Sequence, residues 1–180
     1  MRALLFSAFI KPERAISEWG WLPLIIGLSV AEALTELTGK EFLTKWPNDV
    51  LYEGKKVSGI LCQSSHGGLI AGVGINVNFE KSELPVKNAS AINLITGSEA
   101  ERELVLAATL RKISENLRIW GESGVNSLAD IYLKYSDTIG KEVRVELGSG
   151  NTISAIAVGL SELGELKLSN GSTVSIGDVT

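Results

Sequence analysis

A single cysteine, Cys62, is all the thiol chemistry in this 180-residue chain. It has no partner for an internal disulfide, so stability does not rest on oxidation and a cytoplasmic location is expected. Lying in an apolar strand, Cys62 reads as a small hydrophobe rather than a nucleophile. Histidine is equally scarce. His66 sits in a Ser-Gly turn with no base or metal partner in view, and reads as an exposed loop residue. There is no surplus of basic residues: 17 Lys and Arg against 21 Asp and Glu leave a formal net charge of -4. Bulk electrostatics therefore give no reason to expect nucleic-acid binding. A membrane span needs roughly 20 apolar residues, and "LPLIIGLSVAEAL" is shorter and holds Glu32. "MRALLFSAFI" starts like a secretion signal but runs into "KPER" without a small-residue cleavage site. What remains is the composition of a soluble globular protein, 44% hydrophobic and 21% charged.

The patterning predicts helices and strands in alternation. Leu4–Ile10 is a short apolar run closed by Pro12, consistent with a strand buried on both faces. Leu24–Thr38 repeats apolar residues at helical spacing, with Pro23 at its entry and Gly39 as a C-cap. Phe42–Trp46 reads as a strand stopped by Pro47. Lys56–Gln63 and Leu69–Asn78 are strands joined through "SSHGG", a hairpin turn. Leu84–Ser98, with Pro85, is loop-rich. A long helix follows, with Leu106, Leu110, Ile113, Leu117 and Trp120 along one face, then a short one over Leu128–Tyr135. After Ser136 the helical period disappears. Val143, Val145 and Leu147 alternate, as do Leu166 and Leu168, and frequent turns point to a small SH3-like barrel.

Three segments between these elements carry chemistry. In "KWPNDV", Pro47 places Asn48 and Asp49 at a strand exit, where their oxygens suit Mg2+ bridging phosphates, although taken alone the segment reads as a simple Asn-Asp turn. In "EGKKVSGIL", strict alternation puts Lys56, Ser58 and Ile60 on one face and Lys55, Val57 and Gly59 on the other. A glycine inside a strand marks close approach of a ligand or of another backbone. In "AGVGINVN", Gly72 and Gly74 alternate and leave bare backbone on one face, with Asn76 in line beyond them. Such a slot admits a slender ligand or a packed helix, and GxG alone is a weak signal. The hairpin sets this strand beside Lys56–Gly59, which favours the ligand.

In this order, "KWPNDV", "KKVSGIL" and "AGVGINVN" resemble the biotin protein ligases, also called biotin-[acetyl-CoA-carboxylase] ligases. "ALLFSAFIKP", "LPLIIGLSVAEAL" and the terminal "GDV" extend the resemblance nearly end to end. It implies an α/β (α+β) fold: a mixed sheet with helices, as in class II aminoacyl-tRNA synthetases and biotin ligases, plus a small C-terminal SH3-like β-barrel. Residues 1–136 would form the catalytic, biotin- and ATP-binding domain, N-terminally incomplete, and residues 137–180 the SH3-like domain.

The resemblance further implies joining of biotin to ATP as biotinyl-5'-AMP, with Mg2+, and transfer to a lysine of the biotin carboxyl carrier protein of acetyl-CoA carboxylase. By similarity Lys56 is catalytic, contacting the biotin carboxyl and the adenylate phosphate. Lys56, Gly59, Leu61, Gly72 and Gly74 would bind biotin. Lys45, Asn48 and Asn76 would bind ATP, with Asn76 reading adenine, and Asp49 would face the metal. Lys55 reads as a solvated turn lysine. Partners outside this chemistry, nucleic acid and membrane, are not expected. Homodimers through sheet edges are common in such ligases, and the sequence leaves the oligomeric state open. A GRGRxGRxW-like loop, which closes over the ligands in the family, is not found in these residues, nor is a DNA-binding domain. "WGW" at Trp19–Trp21 does not replace that loop. Weak activity, no repressor role and association through an uncovered Leu4–Ile10 strand are therefore expected. The alternatives are a lipoate-protein ligase-like enzyme and a catalytically silent biotin-binding remnant or split-protein module.

Overall fold

The molecule is built around one apolar helix. Residues 2–84, 86–146, 152–175 and 177–179 are described by a computed structural model; the expectations for Pro85 and Leu147 fall outside the described residues. Helix α1, Leu22–Thr38, carries Pro23 in its first turn, where no intrahelical N–H is required. Gly39 ends it at φ 67°, donating its N–H to the Thr35 carbonyl at 2.9 Å. Leu22, Leu24, Ile25, Ile26, Leu28, Val30, Ala31 and Leu34 are all buried, too many for a single stripe. A helix apolar on several sides is one that is covered on several sides. Together with the 3-10 turn Ile16–Trp21, the segment Ile16–Thr38 is long and apolar enough to cross a membrane, longer than the run expected from sequence. Most of it is buried within the protein, which accounts for its composition.

On one side of α1 lies a five-stranded sheet. Its strands are β1 (Ala3–Ile10), β2 (Leu43–Lys45), β3 (Asp49–Tyr52), β4 (Lys55–Ser65) and β5 (Gly68–Asn76), in the order β1-β5-β4-β3-β2. These strands pair antiparallel; parallel pairing enters as single bridges, Thr44 to Ser136 and Lys56 to Ala89. The β4–β5 turn is His66–Gly67, with φ of 48° and 73°, the left-handed pair that a two-residue hairpin requires. The inner face of the sheet, with Leu4, Val50, Ile60, Val73 and Ile75, belongs to the core.

Two sequence expectations fail here. Strand β1 is not buried on both faces: it is a sheet edge, and Leu5 and Phe9 are 77% and 58% exposed on the side away from α1. Pro47 does stop a strand, since β2 ends at Lys45, but Asp49 does not lie at the strand exit. Trp46–Asn48 form the turn of the β2–β3 hairpin, with Lys45 opposite Asp49, so Asp49 opens a strand instead of leaving one.

On the other side of α1 packs the long helix α3 (Arg102–Ser123), which follows a short helix α2 (Ile92–Thr96) absent from the sequence reading. Its buried stripe is Val105, Thr109, Ile113, Asn116 and Trp120, while Leu110 is exposed. The expected leucine stripe is rotated because Asn116 faces inward. Its Nδ2 donates to Ser29 Oγ at 3.0 Å and Glu32 Oε2 at 2.7 Å on α1. A buried amide supplied with partners is tolerated where an unpaired one is not. Helix α4 (Asn126–Tyr135) completes this layer as expected.

The C-terminal strands β6 (Glu142–Glu146), β7 (Thr152–Leu160), β8 (Leu166–Leu168), β9 (Thr173–Val174) and β10 (Asp178–Val179) form a second antiparallel sheet, SH3-like, in the order β10-β6-β7-β8-β9. Val143, Val145, Leu166 and Leu168 are buried, as their alternation predicts. Two tryptophans fasten it to the first unit. Trp21 Nε1 donates to the Ser161 carbonyl at 3.2 Å, and Trp46 Nε1 donates to the Gly164 carbonyl at 3.1 Å. Between Trp19 and Trp21, Gly20 lies so close to the turn Ser161–Gly164 that an added Cβ would stand 2.1 Å from the Leu163 carbonyl oxygen. Gly20→Ala should therefore cost about 1–3 kcal/mol by overpacking against backbone. A urea titration should show a lowered midpoint with unchanged slope, and an unchanged midpoint would contradict this docking.

Candidate ligand site

The face of the first sheet turned away from α1 is where the chemically distinctive residues meet. Cross-strand register aligns them in one row: Lys45 opposite Asp49, Asp49 opposite Gly59, Gly59 opposite Gly74, and Gly74 opposite Leu5. Residues directly opposite one another in antiparallel strands share a face. The neighbouring row sets Leu61 against Gly72 and Gly72 against Ser7. Gly59, Leu61, Gly72 and Gly74 thus share one open surface, as expected for a slot floored by bare backbone.

Lys56 joins them by a departure from strict alternation. Val50 pairs with Ser58 and Leu51 with Lys56, leaving Val57 as an extra residue on β4. This β-bulge changes the phase of the strand. Val57, Ser58 and Ile60 are all buried, whereas Lys56 and Gly59 face outward together. The expectation that Lys56 and Gly59 lie on opposite faces is corrected. The lysine side chain lies across the glycine, and an added Cβ at Gly59 would sit 3.2 Å from Lys56 Cε and 3.3 Å from its Nζ.

The Lys56 ammonium stands 2.5 Å from Asp49 Oδ1, with Lys56 43% and Asp49 21% exposed. That oxygen is buried, and the Lys56 ammonium is its charge partner. Lys45 is one position away across the hairpin. Asn48 is committed to structure: its Nδ2 donates to the Ile60 carbonyl at 2.8 Å, and the Ile60 N–H returns a bond to the Asn48 carbonyl at 2.9 Å. Among the described residues no group of three His, Cys, Asp or Glu is placed to hold a metal ion, so Asp49 belongs to no such cluster.

Two recesses adjoin on this face. One, of about 310 Å³, is lined by Leu5, Lys56, Gly59, Gly74, Asn76 and, from the loop after β5, Val86 and Ala89. The other, of about 510 Å³, runs over Leu5, Ser7, Gly59, Leu61, Gly72 and Gly74. Shared walls make them one groove, with the lysine near the junction. Asn76 closes one end, its Nδ2 donating to the Ser90 carbonyl at 3.0 Å.

Leu5, Ser7, Val86 and Ala89 escaped the sequence reading. The Leu5–Ser7 alternation was available as a signal once β1 is known to be an edge. The loop contacts join segments about 30 positions apart and leave no local mark. Lys55 and His66 are exposed, as expected. Cys62 is half-buried, and desolvation pushes its thiol up to about 11, which keeps it protonated and unreactive at neutral pH.

Residues 2–80 match the Biotin/lipoate A/B protein ligase family, and residues 138–179 match the Biotin protein ligase C terminal domain. The crystal structure of the biotin protein ligase from Aquifex aeolicus is 38% identical, with a TM-score of 0.86 over 99% of this chain and 81% of that one. That protein has also been solved in complex with biotin and ATP. The biotin--[acetyl-CoA-carboxylase] ligase of Mycobacterium tuberculosis is 34% identical over 170 residues, which are 91% of this chain and 63% of the relative. The bifunctional ligase/repressor BirA of Escherichia coli is 27% identical over 92% of this chain and 53% of its own length. The chain therefore spans between about half and two thirds of the length of these curated relatives. With the fold matched through both its catalytic and C-terminal parts, this chain belongs to the biotin protein ligase family.

Proposed function

We propose that the protein is an ATP-dependent biotin–protein ligase. The biotin carboxylate attacks the α-phosphorus of ATP, forming biotinyl-5'-AMP and releasing pyrophosphate. The ε-amine of a lysine on a biotin carboxyl carrier protein then attacks the acyl carbonyl, forming an amide and releasing AMP. The observation that carries this reading is the Lys56 ammonium lying over bare Gly59 where the two recesses meet. Two anionic groups must be brought together in the first step, and a fixed cation at their meeting point offsets the repulsion.

The apolar floor of Gly59, Gly72 and Gly74, beside Leu61 and Leu5, suits a slender apolar chain ending at that cation. Nucleotide would occupy the recess toward Asn76, Val86 and Ala89. Because the Asn76 Nδ2 is engaged by Ser90, its carbonyl oxygen is the group offered to the adenine amine. Lys45 extends positive charge toward the phosphates, and Asn48 serves them by fixing the turn. A carboxylate already paired with Lys56, and in no cluster of three ligand-type residues among the described ones, does not make a preformed metal centre. Mg2+ would enter as the counter-ion of the nucleotide, with Asp49 as the protein oxygen nearest it. A cytoplasmic setting supplies biotin, ATP and carrier protein. The unpaired outer edge of β1, with Leu5 and Phe9 exposed, is the place for association with a second copy.

Incubation of the protein with biotin, ATP and Mg2+ should yield protein-bound biotinyl-5'-AMP in a single turnover, detected by mass spectrometry. Replacing biotin by lipoate should yield no adenylate; preferential lipoyl-AMP would reassign the substrate. Retained biotin binding without any adenylate would identify a silent binding module. Lys56→Ala should slow adenylate formation on the order of 100-fold, the scale of losing one aligned charge-stabilising group.

Gly59→Val should weaken biotin binding by about tenfold, because new methyl groups would occupy the groove and displace the Lys56 side chain. Isothermal calorimetry would measure this, with the circular dichroism spectrum unchanged. Biotin affinity equal to that of the parent would mean that the ligand lies elsewhere.

A further inference from the structure

Strand β5 ends at Asn76, and Ser58 is the last residue of β4 that it pairs in this direction. Lys56 therefore lies beyond the end of this neighbour, next to the bulge at Val57, and keeps Leu51 of β3 as its partner on the other side. A backbone segment laddered on the β3 side alone would leave the outward-turned N–H and carbonyl of the lysine without partners. The vacancy is filled by the loop after β5. Lys56 N–H donates to the Asn88 carbonyl at 3.0 Å, and Ser90 N–H donates to the Lys56 carbonyl at 2.9 Å, a parallel bridge centred on Ala89. Both backbone polar groups of Lys56 are thus taken by this strap.

The strap itself is pinned at two points. Asn88 Nδ2 donates to the Gly54 carbonyl at 3.1 Å, in the β3–β4 turn, and Asn76 Nδ2 donates to the Ser90 carbonyl. Ala89 and Ser90 are buried, whereas Asn88 is exposed. Its side chain lines neither recess. An exposed asparagine with one side-chain bond contributes little to global stability. Its position beside the Lys56 backbone gives it a different importance.

We propose that the Val86–Ser90 strap holds Lys56 in register over Gly59, and that Asn88 is a positioning residue acting through that lysine. The inference rests on the reading of Lys56 as the charge-stabilising group. Val86 and Ala89 meanwhile line the same recess as the lysine, with Ala89 bridged directly beside it. Asn88→Ala frees the strap from the Gly54 turn without touching the groove. The loosened strap holds the ammonium away from its productive position for a larger share of the time, and ligand binding must restore the order.

The test is a double-mutant cycle read by calorimetric binding of biotinyl-5'-AMP to four proteins: parent, Asn88→Ala, Lys56→Ala and the double variant. Asn88→Ala is expected to weaken binding about tenfold in the parent and to have no effect in the Lys56→Ala background, the signature of a residue that acts through another. Thermal midpoints should stay within a few degrees. Equal weakening in both backgrounds would show a general structural effect and overturn the proposal, as would unchanged affinity in Asn88→Ala. If Lys56→Ala binds the adenylate as tightly as the parent, the reading of Lys56 fails first and the strap proposal falls with it. A loss in Lys56→Ala without any loss in Asn88→Ala sinks the strap proposal alone.

Discussion

The extra residue at Val57 is the constraint on which the site depends. Without it, the strict two-residue period of β4 would turn either Lys56 or Gly59 into the core. Burial of an unpaired ammonium beneath α1 would be prohibitive, so an unbulged strand would surrender the glycine slot instead. With it, Val57 and Ser58 both go inward and the lysine and glycine both go outward. A cation is thereby laid along a backbone floor that has no side chain to hold it off. The facing carboxylate, Asp49, comes from the next strand at the register position of that same glycine.

The asymmetry of the sheet follows from where α1 is placed. One face is sealed by a helix whose residues are buried on several sides, and a Cβ added at Gly27 would meet Ile60 and Thr44 at ordinary van der Waals distance. The lysine, the carboxylate and the strand glycines are left on the other face. Exposed Leu5, Phe9 and Leu61 are therefore not defects of the core; they flank a glycine floor that a partly apolar ligand can cover.

Much of this was legible because the informative residues are chemically unusual for their positions. Alternate glycines in an apolar strand, a lysine before a strand glycine and an Asn-Asp pair after a proline have few explanations when they occur together. Hairpin chemistry at His66–Gly67 and the Gly39 cap were equally local, and local signals are readable. Three things were not. The bulge is invisible to a reading that assumes strict alternation. The buried stripe of α3 was misjudged because Asn116 is polar, and only its long-range partners Ser29 and Glu32 make it an interior residue. The strap beside Lys56 depends on apposition of distant segments, which no periodicity encodes.

The same logic gives the tryptophans a place in the chemistry without contact with it. Trp46 is almost wholly buried; its indole is bound by the Gly164 carbonyl and its backbone N–H by Thr138 Oγ1 at 3.0 Å. It is also the first residue of the turn that presents Asn48 and Asp49. The C-terminal unit therefore grips the β2–β3 hairpin from behind, at the residue immediately before the proline. The Asp49 carboxylate faces the Lys56 ammonium from one side while the strap fixes the lysine backbone from the other. The charge at the centre of the groove is thus set by two supports that are remote in sequence, one from the second sheet and one from the loop after β5. A loop and a barrel that contribute little or no lining to the groove can govern what happens in it, because one holds the backbone of Lys56 and the other holds the turn that leads into Asp49.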